Sequence, residues 1–261
     1  MAETLLVAVC AAAIAVAIFL AGDRLRPQSW RQSGDETSGA LALDLVKTFF
    51  TAVVAFIFIV CWQQHQNAHD HTVAEAKGLL DTYWAAQALP PSERTQVQSL
   101  VRGYTGQVIE QEWPLMENRG RLSESAADTL TTLRETTAAL RSPDPIVTDA
   151  RSRTLAGLDQ VVRARSDRAI DLNRNIPQFL YLTLYFGTAL VLLNPVLTGI
   201  RVTWRSVTMI ALLGIVVGCA LLALRDMERP FSSVMGISKD AFVYTQSQIQ
   251  QPPGEPGDSA K

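Results

Sequence analysis

The chain has 261 residues, a formal net charge of −2 and 48% hydrophobic residues. Acids and bases are interspersed along it, which argues against a nucleic-acid partner and against a polybasic lipid-binding face. The length allows one membrane bundle plus one small water-facing domain.

The first apolar run, Leu5–Ala21, approaches the ~20 residues that a helix needs to cross ~30 Å of hydrocarbon. The residues before it include Glu3 and no Lys or Arg, and Val9 precedes Cys10. A secretory signal has a positive n-region, so the run is predicted to be a retained span. The second run is Val46–Trp62, with Asp44 and Lys47 at its interfacial start. Lys47 is able to snorkel to the headgroups.

Residues 63–176 form a polar insert with 13 Lys+Arg and 15 Asp+Glu. Its apolar positions recur at helical spacing: Ala76, Leu80 and Tyr83; Val97, Val101, Tyr104 and Val108; Ala126, Leu130, Leu133 and Leu140; Leu155, Leu158, Val162, Ala169 and Leu172. No segment shows sustained apolar–polar alternation, so four helices in an antiparallel bundle are predicted. Pro90 and Pro91 break the first helix from the second, Ser92 is the expected N-cap, and the second helix is expected to end near Pro114. No Gly or Pro separates Trp62 from Ala76, so the first bundle helix is predicted to continue the second span. Pro177 predicts a kink where the fourth helix meets the third span.

The third and fourth runs are Phe179–Ile200 and Val207–Leu224. Asn194 and Pro195 lie in the third. Asn194 needs a partner and Pro195 frees a carbonyl, so the pair reads either as substrate or ion contact or as helix packing and a kink. The tail carries Asp226, Pro230, Phe231 and Phe242, with the two phenylalanines expected to dock at the membrane interface. After Thr245 the chain turns Gln-, Pro- and Gly-rich and is predicted to be disordered.

The fold class is thus all-α: four transmembrane helices with an antiparallel helical-bundle insert between the second and third. The divisions are 1–62, 63–176, 177–225, a juxtamembrane motif 226–245 and a tail 246–261. Arg24, Arg26 and Arg31 follow the first span, and Arg201 and Arg205 lie between the third and fourth. By the positive-inside rule these short loops are cytoplasmic. A multi-pass cell-membrane protein is therefore expected, with the bundle and both termini extracytoplasmic.

His65 and His69 share a helix face at i, i+4, with His71 nearby. The spacing suits a transition metal or a proton sensor, and equally a solvated juxtamembrane face. No P-loop, dinucleotide fingerprint, nucleophile–base pair or metal triad is present, so neither enzyme activity nor a cofactor is expected. Cys10, Cys61 and Cys219 lie in or beside apolar runs and read as small hydrophobes in span packing.

Four local patterns resemble those of the bacterial bestrophin-like membrane proteins. They are Glu75-Ala76, Tyr104 followed by Glu112-Trp113-Pro114, the bases Arg163, Arg165 and Arg168 before Pro177, and Asp226…Pro230-Phe231…Ala241-Phe242. The chain departs at Ser233, where the family often has glycine. The family's name implies kinship with bestrophins, which are pentameric anion channels with a large cytosolic helical part. The resemblance implies an oligomeric channel or transport-related protein, with the bilayer and further copies of the chain as partners. The layout alone supports another class: a membrane-anchored sensor or assembly module acting through a membrane or extracytoplasmic protein partner. The resemblance marks Glu75, Glu112, Trp113, Asp226, Pro230 and Phe231 as important positions, expected to act as a bundle-to-membrane lock. Asp226 is expected to pair with an arginine near the membrane.

Overall fold

The computed structural model describes residues 2–25, 36–173, 178–197, 202–227, 230–231 and 236–250. Among these the regular structure is entirely helical. Two compact units form: Met1–Gln63 with Asn175–Glu228, and Gln64–Arg174 with Arg229–Lys261. Pro177, Ser233, Arg26, Arg31 and Arg201 fall outside the described residues, and with them the expected kink and part of the loop-charge argument.

The first unit holds α1 (Ala2–Leu25), the N-terminal part of α2 (Glu36–Ala85), α7 (Gln178–Leu197) and α8 (Trp204–Met227). Four helices are long and apolar enough to span a membrane: within Leu6–Leu25, Lys47–Ala88, Gln178–Leu197 and Trp204–Met227. Large apolar side chains such as Ile14, Phe49, Phe56, Leu182, Phe186, Met209 and Val216 are exposed on them. In water that would be costly; against lipid tails it is the expected surface. Lipid gives little hydrophobic reason for helices to pair, so close packing of small residues does the work. Here a Cβ on Gly214 would stand 2.8 Å from the Ala11 carbonyl oxygen, and one on Gly218 would stand 2.6 Å from Ala11 Cβ. The spacing Gly214-x-x-x-Gly218 therefore seats α8 against the alanine face of α1. Cys61 is buried with Ile57, Leu184, Leu224 and Met227, in keeping with its reading as a small hydrophobe. Lys47 pairs with Asp44 at 2.9 Å one turn away.

The second unit is built from the remainder of α2, α3 (Pro91–Gln107), a π-helical turn (Val108–Glu112), α4 (Trp113–Arg119), α5 (Glu124–Ala139), α6 (Pro145–Leu172) and α9 (Asp240–Gln250). α2 is a single 50-residue helix, so the predicted continuity past Trp62 is present. The helix caps correct two expectations. Pro90, not Ser92, is the N-cap of α3, with Pro91 in the first turn, where a missing N–H costs nothing. Pro114 does not end a helix either: it lies in the first turn of α4, just after the wider π turn. Ser123 caps α5 and Asp144 caps α6, each accepting a backbone N–H.

One core unites these elements, including Leu79, Val97, Val101, Val108, Leu133, Leu158 and Val161. Phe231, Ile237, Phe242 and Ile249 belong to it as well. The tail aromatics are therefore core residues of the bundle unit and not interfacial anchors. The stretch predicted to be disordered from residue 246 is helical to Gln250, and Ile249 is buried. Phe242, Thr245 and Ile249 stand at i, i+3, i+7, one buried stripe that a Gln-rich composition conceals.

Candidate functional site

α2 and α6 run antiparallel at unusually close range. A Cβ on Gly157 would stand 2.5 Å from Thr82 Oγ1, and one on Gly78 would stand 2.9 Å from Val161 Cγ2. Glycine at both points lets the backbones approach. Gln160 Nε2 donates to the Ala74 carbonyl at 3.3 Å, and toward the other end of the contact His71 Nδ1 lies 2.7 Å from Asp171 Oδ2. This crossing carries Glu75 of α2 to Arg168 of α6.

Both side chains are fully buried. Arg168 donates from Nε to Glu75 Oε2 at 2.9 Å and from Nη2 to Oε1 at 3.0 Å. Nη2 also donates to Glu112 Oε1 at 2.6 Å, and Nη1 to the Met116 sulfur at 3.1 Å. Arg165, one turn earlier, grips Glu112 with both terminal nitrogens, at 2.8 and 2.7 Å. It donates as well to Tyr104 Oη and to the Ser123 carbonyl, each at 2.9 Å. Tyr104 in turn donates to Glu75 Oε1 at 2.5 Å, and the Ser123 N–H reaches Glu112 Oε2 at 2.9 Å. The hydroxyl of Tyr104 thus joins one bidentate ion pair to the other.

The π turn makes this possible. The Trp113 N–H bonds the Val108 carbonyl five residues back, which adds a residue to one turn. Val108, Ile109, Glu112 and Trp113 are all buried as a result. Glu112 meets the arginines while Trp113, next to it, lies edge-on to Phe231 and Phe242 at centroid distances of 6.0 and 6.1 Å. Arg168 also lies over the Phe242 ring, 5.4 Å from its centroid. The C-terminal return is therefore in direct contact with the charge cluster.

With both carboxyls ionised the cluster sums to zero, while burial raises the Glu75 pKa against the lowering pull of Arg168 and the Tyr104 hydrogen bond. Burial works to lower the pKa of both arginines, but the attraction of Glu112 and Glu75 raises them instead. Burial and the Glu75 charge raise the Tyr104 phenol well above its ordinary value, so it stays protonated as a donor. Each carboxylate oxygen accepts at least one hydrogen bond, and each arginine donates four. So saturated a constellation leaves little to offer a substrate and much to fix a geometry.

Of the predicted positions, Glu75, Glu112, Trp113 and Phe231 converge here. Pro230 joins by its backbone, its carbonyl accepting the Ile237 N–H at 2.7 Å. Asn194 is buried in α7, in the other unit, next to Pro195. Asp226 lies at the end of α8, also in that unit, and among the described residues no arginine pairs with it. Arg163 is exposed. Arg165 and Arg168 were noted only within a basic run. Their signal is their place in the stripe Leu158, Val161, Arg165, Arg168, where a solvated cation does not belong. Among the described residues no group of three His, Cys, Asp or Glu side chains could hold a metal, so His65 and His69 gain no third ligand there.

The fold and the cluster define a class: a four-span helical membrane protein whose bundle, inserted between the second and third spans, is closed around a buried, neutral charge cluster. Within that class the chain belongs to the bestrophin-like family. A family model described as Bestrophin-like domain matches residues 9–242. A solved crystal structure of a membrane protein has a similar fold, with a TM-score of 0.62 at 12% identity, over 95% of this chain and 97% of that one. No curated protein matches.

Proposed function

We propose that this chain is an oligomeric channel or transport-related membrane protein. The observation that carries the reading, beside the family, is what the spans bury. Asn194 is the one polar residue of the first unit that is buried among the described residues. Among the described residues the spans of a single subunit thus bury no continuous polar path, and on this reading an ion would cross between copies of the chain. The charge cluster is the lock of this assembly: it holds the bundle and its C-terminal return in one arrangement and does not line the path. The experiment is native mass determination in detergent together with ion flux in liposomes. A discrete homo-oligomer that conducts is the expected result; a monomer with no flux in lipid overturns the reading.

One observation favours a sensor or assembly module acting through a partner protein: the bundle has a core of its own and a cavity at the α5–α6 turn. Crosslinking that returns a stoichiometric partner, with no flux, would establish that alternative.

In the proposed orientation the bundle and both termini are extracytoplasmic, as Arg24 and Arg205 beside short loops support. Gln96→Cys and Ser259→Cys, each in a background lacking Cys10, Cys61 and Cys219, should label in intact cells with a membrane-impermeant reagent. Labelling only after lysis reverses the orientation.

A further inference from the structure

The two carboxylates of the buried cluster are not equally compensated. Glu112 accepts from both guanidiniums and from the Ser123 N–H. Glu75 accepts from Arg168 and from the neutral hydroxyl of Tyr104. It shares even that arginine: Arg168 Nη2 lies 2.6 Å from Glu112 Oε1 and 3.0 Å from Glu75 Oε1. One nitrogen thus bridges two like charges, and Glu75, Glu112 and Arg168 have no solvent exposure. Carboxylates that share a buried site compete for ionisation, and the one with fewer cationic partners takes the proton. The other groups around Glu75 do not supply the missing charge. On α6, Arg165 is bidentate on Glu112. α3 presents Tyr104, which stays protonated, α4 presents Met116, and α9 presents Phe242 and Thr245, which do not titrate. On α2 itself, His71 one turn earlier is engaged with Asp171 of α6, and Lys77 is exposed.

We propose that Glu75 is a proton-binding site of the folded bundle, through which acidity switches the cluster from neutral to positive. Oε2 carries one donor against two on Oε1 and is the oxygen with room for the proton. Hydronium delivers it and leaves as water, and no other covalent bond changes. Neutral Glu75 then gives up its charge-assisted hold on Arg168, which keeps its bond to Glu112. Full burial is no bar, since buried glutamates titrate in folded proteins. The site belongs to the bundle alone and stands whether or not the assembly conducts.

Burial places the Glu75 pKa above its ordinary value of 4.5. A carboxyl with a higher pKa in the folded than in the unfolded chain binds protons more tightly when folded, so it adds stability as pH falls through that window. A carboxylate that stays ionised in its ion pairs gives the opposite sign. The test is thermal unfolding of the full chain in detergent, from neutral pH to 4.5, for wild type and Glu75→Gln. The difference between their midpoints should move in favour of wild type on acidification. Infrared absorption of wild type should also gain a protonated-carboxyl band, with a midpoint above 4.5, that Glu75→Gln lacks. Should Glu75→Gln fail to fold, the wild-type band and its response to Tyr104→Phe decide. Losing the hydroxyl that favours the anion, Tyr104→Phe should bind the proton about tenfold more tightly and move the band to higher pH. A midpoint difference that stays flat or moves against wild type overturns the inference, as does the absence of the band or a band unmoved by Tyr104→Phe.

Discussion

Replacing Arg168 with methionine is expected to destabilise the bundle by about 3–5 kcal/mol, because it leaves two buried carboxylates short of partners. Arg168 has no solvent exposure, and it is the residue that touches both Glu75 and Glu112. Domains of this size are stable by only about 5–15 kcal/mol, so the variant stands at the edge of unfolding at ordinary temperature. Denaturant unfolding in detergent, followed by tryptophan fluorescence, measures the loss; Trp113 is buried within contact of Phe231 and Phe242 and reports on this region. Glu75→Gln should cost less, since an amide keeps an acceptor for Arg168 and removes only one charge. An Arg168→Met protein as stable as wild type would show that the cluster is not what holds the bundle. An apolar core of similar volume is often equally stable. We read the benefit of the charge cluster as specificity: the observed register of α2, the π turn and α6 gives every carboxylate oxygen a donor.

Phe242→Ala is expected to cost about 3–5 kcal/mol, since the side chain is fully buried and the cavity left behind adds to the lost transfer energy. Truncation separates this effect from simple tail loss. A chain ending at Lys239 loses Phe242, Thr245, which donates to the Ala76 carbonyl at 3.1 Å, and buried Ile249. It should yield little folded protein. A chain ending at Gln250 keeps all three and should match wild type. Thermal melting of the three purified proteins checks the order. Equal midpoints for wild type and the chain ending at Lys239 would mean that α9 adds nothing to the bundle.

Much of this architecture was legible in the sequence because lipid and water each impose one strong pattern. Apolar runs of membrane length gave the four spans, and the 3.6-residue period gave the bundle helices. Two failures have physical causes. The break at Pro114 was misread because proline ends a helix interior but suits a first turn, and only the π turn before it makes Trp113 a fresh start. α9 was missed because its buried face is three residues of Phe242, Thr245 and Ile249 among glutamines. Within the site, Glu75, Glu112 and Trp113 stood out through the family resemblance, whereas the arginines that pair with the two glutamates are 53 to 93 residues away along the chain. No local pattern pairs Glu75 with Arg168; what local reading offers is an arginine standing where a leucine would.

In the proposed lock, Glu112 and Arg165 act as one unit. A double-mutant cycle with Glu112→Gln, Arg165→Gln and both together measures that coupling directly by denaturant unfolding. Groups sharing a buried network couple by about 0.5–3 kcal/mol, whereas independent sites add to within about 0.5 kcal/mol. The account predicts coupling near the upper end, because the pair is bidentate at 2.8 and 2.7 Å and closed to solvent. Strictly additive losses, with each single variant nearly as stable as wild type, would contradict it.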